Sequence, residues 1–348
     1  MKRHRNRFGK FSAIAILALT LSIVLVQAGS RSDLPAKISG LITAPLTETE
    51  VAIIKTGQPV SKLLSSGADT EVGVFGVTWI DADVDAYIRA VEDIEQFEKG
   101  GSFQITKRIS DPPVLEDFAD LKLSDEDVVD LKKCRVGDCQ LKLGADEISH
   151  LRSKSGGSKR KGGTVVQSAF RQLALDYVDG YQQKGNAELE VYRDKSRPIS
   201  VAKEFAAIVE EMSQMLRYDP ALRQYLLDYP NAQLANGSTF FYWQQVDFGL
   251  KPTFRINQVA ISPSPEITLV ASKLLYANHY FHTALELQAL IPDESRGPGF
   301  WLVTLKRMRA DGMNGATGQM VRGRIEKEAV SGLTQALRAT KVKLENAR

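Results

Sequence analysis

The sequence EVGVFGVTWIDADVDAYIRAVEDIEQFE, residues 71–98, predicts a strand followed at once by a helix. From 71 to 80 the apolar residues fall on both parities, which is typical of a strand covered on both faces. Asp83 is placed to cap a helix that extends to about residue 98, because Tyr87, Val91 and Ile94 recur on one helical face. The segment therefore predicts an α+β fold.

The rest of the chain alternates between strand and helix patterns. Residues 103–109 predict a second strand, 125–133 a short helix, and 164–230 a group of helices. Later strands are predicted at 239–248, 253–261, 267–276 and 300–307, while 280–291 fits either a strand or a helix. A final amphipathic helix is predicted over 318–345, with Val321, Ile325, Ala329, Leu333 and Leu337 on one face.

The first 28 residues have the order of an export signal. Five basic residues precede an apolar stretch from 11 to 26, and small residues follow at Val26 and Ala28. This order predicts a bacterial signal peptide that is cleaved after Ala28, so the protein is expected in the periplasm or outside the cell. The alternative is an uncleaved membrane anchor, because the apolar stretch approaches the roughly 17 residues that span a bilayer.

The charge of the chain changes when the signal is removed. The full chain carries +3, but the signal holds five of the positive charges, so the mature part is at −2. We therefore expect no nucleic-acid partner, and a membrane contact only through the signal before cleavage. Residues 81–147 hold 18 acids against 9 bases, so an acidic segment precedes a basic one. Such a split forms either two solvated faces that attract each other or a docking surface.

Two features punctuate the middle of the chain. Cys134 and Cys139 bracket a Gly-Asp turn, and in an oxidising compartment this spacing predicts a small-loop disulfide. Residues 152–163 are rich in glycine, serine and basic residues, and this composition predicts a solvated linker. The expected organisation is then a signal (1–28), a loosely structured lead-in (29–70), a first part of the main domain (71–151), the linker (152–163), a helical insertion (164–235) and the remaining strands with the final helix (236–348).

The order of these elements resembles the START-like helix-grip superfamily, which includes polyketide-cyclase-like proteins. The resemblance lies in residues 74–97, 267–290 and 300–337, and the block around 275–281 also resembles uncharacterised exported bacterial proteins. It implies a curved antiparallel sheet that grips a long C-terminal helix around an apolar cavity. It also implies a lipid or other hydrophobic small molecule as ligand, or a scaffold without one.

The candidate ligand-binding residues are chosen by their positions in the predicted strands. They are Trp243, Arg255, Tyr276, His279 and Trp301. Aromatic rings would line the apolar cavity, while Arg255 or His279 would orient the head group of the ligand. No set of residues typical of nucleophilic catalysis is evident, so we expect a non-enzymatic binding protein that needs no cofactor or metal.

Two other sites are possible. His279, His282 and Glu286 would share a face on a helix and hold a zinc ion for a hydrolase, but on a strand the two histidines would point apart. Gly312, Gly315 and Gly318 precede the final helix, which carries Arg322 and Arg324 early in its length, and a glycine loop at a helix N-terminus is able to bind an anion. The alternative is that this loop is a flexible turn that binds no anion.

Overall fold

The structure is a computed structural model that describes residues 36–41, 44–156, 159–247 and 251–347. The predicted signal peptide, residues 1–28, lies outside these ranges. Among the described residues, no helix combines the length and the apolar character needed to cross a membrane.

The fold is α+β, as predicted, and is built on a sheet of eight strands. The strands of the main sheet are β1 (Val60–Leu64), β2 (Glu71–Ile80), β3 (Phe103–Ile109), β6 (Ser238–Val246), β7 (Thr253–Ser262), β8 (Thr268–Ala277), β9 (Phe281–Pro292) and β10 (Phe300–Ala310). A separate small hairpin consists of β4 (Val191–Tyr192) and β5 (Ile199–Ser200). The strand order is β1-β2-β10-β9-β8-β7-β6-β3, and all neighbours are antiparallel. Residues 281–292 are therefore a strand, which settles the choice that the sequence left open.

Helices surround this sheet. They are α1 (Ala36–Leu41), α2 (Glu48–Lys55), α3 (Val84–Glu92), α4 (Ile94–Phe97), α5 (Asp125–Leu131), α6 (Ala145–Ser155), α7 (Lys159–Lys184), α8 (Val201–Glu211), α9 (Ser213–Leu216), α10 (Pro220–Asp228) and α11 (Gly315–Glu345). Helices α5 to α10 lie between strands β3 and β6 in the sequence and form the helical insertion, which therefore includes α5 and α6 and begins before the predicted residue 164.

One side of the sheet, which we call the insertion face, is covered by the helical insertion and by α1 and α2. One half of this face packs Leu287 against Phe205 of α8, in a core that also includes Ile54 of α2. The other half packs Trp243 and Phe254 against α7, where the ring of Phe170 meets that of Phe254 edge-on at 5.5 Å. These side chains are buried, so apolar packing fills this side of the sheet.

The opposite side, which we call the α11 face, is covered only in part. Helix α11 runs along β1 and β2, where Leu333 and Leu337 pack against Gly76 and the neighbouring apolar residues. Helices α3 and α4 cross one end of the sheet, with Tyr87 against Phe300. The main contacts of α11 with the sheet are to β1 and β2, while α3 reaches the middle of β9 through a hydrogen bond from Tyr87 to Gln288.

The predicted lead-in, residues 29–70, is not loosely structured in its described part. It forms α1, α2 and the edge strand β1, which pairs with β2 from Val60 to Leu64. Thr47 and Glu50 form a reciprocal capping box at the start of α2, and Ile54 is buried in the core. The capping box and the edge strand each involve only a few residues, so they were not recognised in the sequence.

The predicted linker, residues 152–163, is also wrong over most of its length. Helix α6 continues to Ser155 and α7 begins at Lys159, so the two helices form a hairpin. Ile148 and Leu151 of α6 are buried with Val166 and Phe170 of α7. Tertiary packing of these apolar faces overrides the weak helix preference of the glycine and serine residues.

The predicted disulfide is confirmed. Cys134 and Cys139 are bonded to each other, and both are buried in the core that the insertion forms with the sheet. Gly137 adopts a φ of 86° in the turn between them, a conformation that favours glycine.

Candidate functional site

A group of polar side chains occupies the centre of the α11 face, although both ends of that face are apolar. These residues come from five successive strands: Tyr242, Gln244, Arg255, Asn257, Ser272, Glu286, Gln288 and Lys306. They share one parity in their strands, and the pairing register brings them side by side. We call the depression that they line the groove.

The groove contains a cavity of about 90 Å³ that opens to solvent. Its wall is apolar and comes from the end of α3, from α4 and from the start of β3, through Val91, Ile94, Phe97 and Phe103. Leu274 and Ala284 add apolar surface to its floor. An apolar wall beside a polar floor is the surface that an amphipathic small molecule requires.

A chain of hydrogen bonds crosses the floor from strand to helix. Arg255 donates from its guanidinium to Oε1 of Gln244 at 2.7 Å, and Gln244 donates from Nε2 to the carboxylate of Glu98. Glu98 directly follows α4, and Gln244 is fully buried. The amide of Gln244 therefore fixes the positions of a basic and an acidic group.

A second polar chain borders the groove on β9 and β10. Lys306 Nζ lies 3.1 Å from Oε2 of Glu286, and Gln288 donates from Nε2 to Oε1 of the same carboxylate at 2.8 Å. Tyr87 of α3 donates to Oε1 of Gln288 at 2.6 Å. Helix α3 is thereby tied to the middle of the sheet.

Burial dominates the electrostatics of the groove. It raises the pKa of the Glu98 carboxyl above its usual value, although the Arg255 guanidinium opposes this rise. It also lowers the pKa of Arg255, with Tyr242, Glu98 and Glu286 acting in the opposite direction. These groups are therefore poorly hydrated, which strengthens their interaction with any polar atom that enters.

Some buried polar atoms on this face have no hydrogen-bond partner among the described residues. They include Nδ2 of Asn257, whose side chain lines the cavity, and Oγ1 of Thr304. Asn257 is 5% exposed, and Thr304 is directly opposite Gln288 in the pairing of β9 and β10. Buried donors of this kind are uncommon in folded proteins, because each costs free energy until it is satisfied.

Of the predicted ligand-binding residues, the structure brings Arg255 into the groove. Trp243 instead lies on the insertion face, where its ring stacks on Phe118 at 6.4 Å and Nε1 donates to the carbonyl of Asp117 at 2.7 Å. Tyr276 is buried in the same core and donates from its hydroxyl to the carbonyl of Lys142. Trp243 has the opposite parity from its groove-lining neighbours Tyr242 and Gln244. A bulge in the pairing of β7 and β8 places Tyr276 on the opposite face from Leu274.

Trp301 and His279 also lie outside the groove. Trp301 packs edge-on against Trp79 at 5.3 Å in the core of the insertion face. His279 lies 3.1 Å from Oδ1 of Asp127, and its other ring nitrogen lies 3.2 Å from the carbonyl of Gln140. The side chains of Trp301 and His279 therefore stabilise the fold and do not line the groove.

The zinc and anion hypotheses find no support in the geometry. His282 lies 2.7 Å from Oδ1 of Asp311, a different carboxylate from the one that contacts His279. The described residues contain no group of three or more side chains arranged to hold a metal ion. At the start of α11, Arg322 donates to the carbonyls of Asp69 and Glu71, so it is engaged in holding the helix to β2.

The sequence-based prediction did not include Glu98, Gln244, Asn257 or Lys306, and it considered Glu286 only as a zinc ligand. A signal for most of them was present, because each of five strands carries a polar residue near its middle at a position of the same parity. The pairing register needed to align them is a property of the folded sheet. Comparison with protein-family models gives no match for this chain, and comparison with curated proteins gives no relative.

Proposed function

We propose that this chain is an exported, non-enzymatic protein that binds a hydrophobic small molecule or single-chain lipid in the groove of its α11 face. The observation that carries the proposal is the partly open cavity of about 90 Å³, with an apolar wall and a polar, dehydrated floor. Arg255 and Glu98 would contact the head group, while Phe97 and Leu274 would contact the first carbons of the chain.

The size of the cavity favours a compact ligand. Sites that enclose drug-sized molecules have volumes of roughly 300–1,000 Å³, and the cavity of about 90 Å³ is smaller. It holds a head group and the start of one chain, and the remainder of the chain would lie along the open part of the groove. A two-chain phospholipid fits this space poorly.

The resemblance to the START-like superfamily is consistent with this proposal, but the position of the ligand differs from the first expectation. Helix α11 lies along β1 and β2, and α3 and α4 supply the wall beside the cavity. The rings of Trp243 and Trp301 would therefore have no part in binding.

A blocking substitution tests the proposal. Ala284 lines the cavity and is half-buried, so Ala284→Phe is expected to fill the space without disturbing a core. We expect it to weaken binding of the neutral apolar dye N-phenyl-1-naphthylamine by about tenfold or more, measured by fluorescence titration.

Ala206→Phe is the matched control, because Ala206 is exposed on α8 at the other side of the sheet. It should leave the dissociation constant of the dye within about twofold of the original value. Equal effects of the two substitutions, or no dye binding by the unmodified protein, would refute the proposal.

A further inference from the structure

The charges that line the groove balance one another. Two carboxylates, Glu98 and Glu286, accompany two cations, Arg255 and Lys306. Glu286 pairs with Lys306 at 3.1 Å, and Gln244 links Glu98 to Arg255. A ligand with a net charge would add one charge without a partner, and burying an unpaired charge costs more than burying a neutral polar group.

The buried amide of Asn257 in the groove is able to donate a hydrogen bond to a ligand. Nδ2 of Asn257 is buried without a hydrogen-bond partner among the described residues, and its side chain lines the cavity. A carbonyl or hydroxyl oxygen of a ligand, placed next to Nδ2 of Asn257, would accept the hydrogen bond that this amide makes to water in the unfolded chain. A primary ammonium has no lone pair to offer and leaves the Asn257 donor unsatisfied.

We propose, on the basis of the proposed function, that the groove selects an amphiphile whose head group is uncharged and carries both an acceptor and a donor, as a carboxamide does. The acceptor would meet Nδ2 of Asn257, and the donor would meet the carboxyl of Glu98. A carboxylate head group would be repelled by Glu98 and Glu286, and an ammonium by Arg255 and Lys306.

The state of Glu98 supports this selectivity. Burial raises the pKa of its carboxyl even with the Arg255 guanidinium nearby, so the carboxylate is short of favourable contacts. A neutral N–H or O–H donor supplies such a contact without adding a charge that the two cations would oppose.

Three ligands with the same eight-carbon chain test the inference: octanamide, octanoate and octylammonium. We expect the purified protein at pH 7 to bind octanamide about tenfold more tightly than either ion, measured by isothermal titration calorimetry. If octanoate or octylammonium binds as tightly as octanamide, the selectivity is wrong while the binding function stands. If none of the three ligands displaces N-phenyl-1-naphthylamine in a fluorescence competition titration, the proposed binding function itself is wrong.

Two substitutions at one position make the assignment specific. Asn257→Leu removes the donor and should weaken octanamide binding by about tenfold, with little change for octylammonium. Asn257→Asp adds a negative charge and should reverse the preference in favour of octylammonium. Equal losses for all three ligands in Asn257→Leu, or an unchanged preference in Asn257→Asp, would overturn the role of Asn257.

Discussion

At the scale of single residues, the side-chain amine of Lys273 is buried and shielded from water. It is fully buried on β8, donates to the hydroxyl of Tyr181 at 2.8 Å, and lies 4.0 Å from the centre of the Phe205 ring. Among the described residues no carboxylate forms an ion pair with it, and burial lowers its pKa well below the usual value. Burial therefore disfavours the charged amine in the folded protein, while the unfolded chain binds a proton below a pH of about 10.4.

This difference predicts a pH dependence of stability. Because the unfolded state binds more protons, the contribution of Lys273 to the free energy of unfolding rises with pH, by up to about 1.4 kcal/mol per pH unit between the lowered pKa in the fold and 10.4. Lys273→Met should remove this slope, measured by urea denaturation between pH 6 and pH 9. Lys203→Met, at an exposed position on α8, should keep it. Parallel slopes for the two variants would show that Lys273 is charged in the fold.

At the scale of elements, α11 is held to the sheet by a short apolar contact with β2. Leu337 is 2% exposed, and a Cβ added at Gly76 would lie 2.7 Å from its Cδ1 and 2.9 Å from Cδ2 of Leu333. The absence of a side chain at Gly76 therefore sets the distance at which the helix approaches the sheet.

The same contact predicts a contrast along one helix. Leu337→Ala should lower the free energy of unfolding by about 2–5 kcal/mol, because it leaves a cavity between α11 and β2. Val321→Ala should change it by less than about 0.5 kcal/mol, since Val321 is 43% exposed. Urea denaturation of both variants measures the difference. Similar losses would mean that the exposed start of α11 is packed in solution.

The sequence predicted the central strands and the final helix well, because their patterns are local. Strand 71–80 was predicted to the residue, and the helix expected at 318–345 is observed as Gly315–Glu345. The site was predicted less well, and Arg255 is the one candidate ligand contact that lies in the groove. Which face a strand residue takes depends on bulges and on the helices that cover each face, and these are long-range properties.

At the scale of the whole molecule, the two segments of opposite charge meet within the fold. Lys251 lies 2.8 Å from Oδ2 of Asp130 and 3.0 Å from Oε1 of Glu126. Both acids belong to the acidic segment 81–147, and Lys251 belongs to the basic one. The attraction between the segments is therefore used in part to hold α5 against the sheet, which reduces the charge available for a scaffold to dock on partners.

The insertion and α11 give the two sides of the sheet different roles. The insertion face is filled by aromatic and aliphatic packing, whereas the α11 face keeps the groove open beside α4. We therefore expect a ligand to bind on the α11 face and not on the insertion face.

Photo-crosslinking with a neutral eight-carbon amide that carries a diazirine at the end of its chain would show which side of the sheet the ligand contacts. Peptide mass spectrometry should place the labels on segments that line the groove, such as residues 91–103 and 270–288, and Ala284→Phe should abolish them. Labels concentrated on α7 or α8 of the insertion, or labels that persist in Ala284→Phe, would show that the ligand does not bind in the groove.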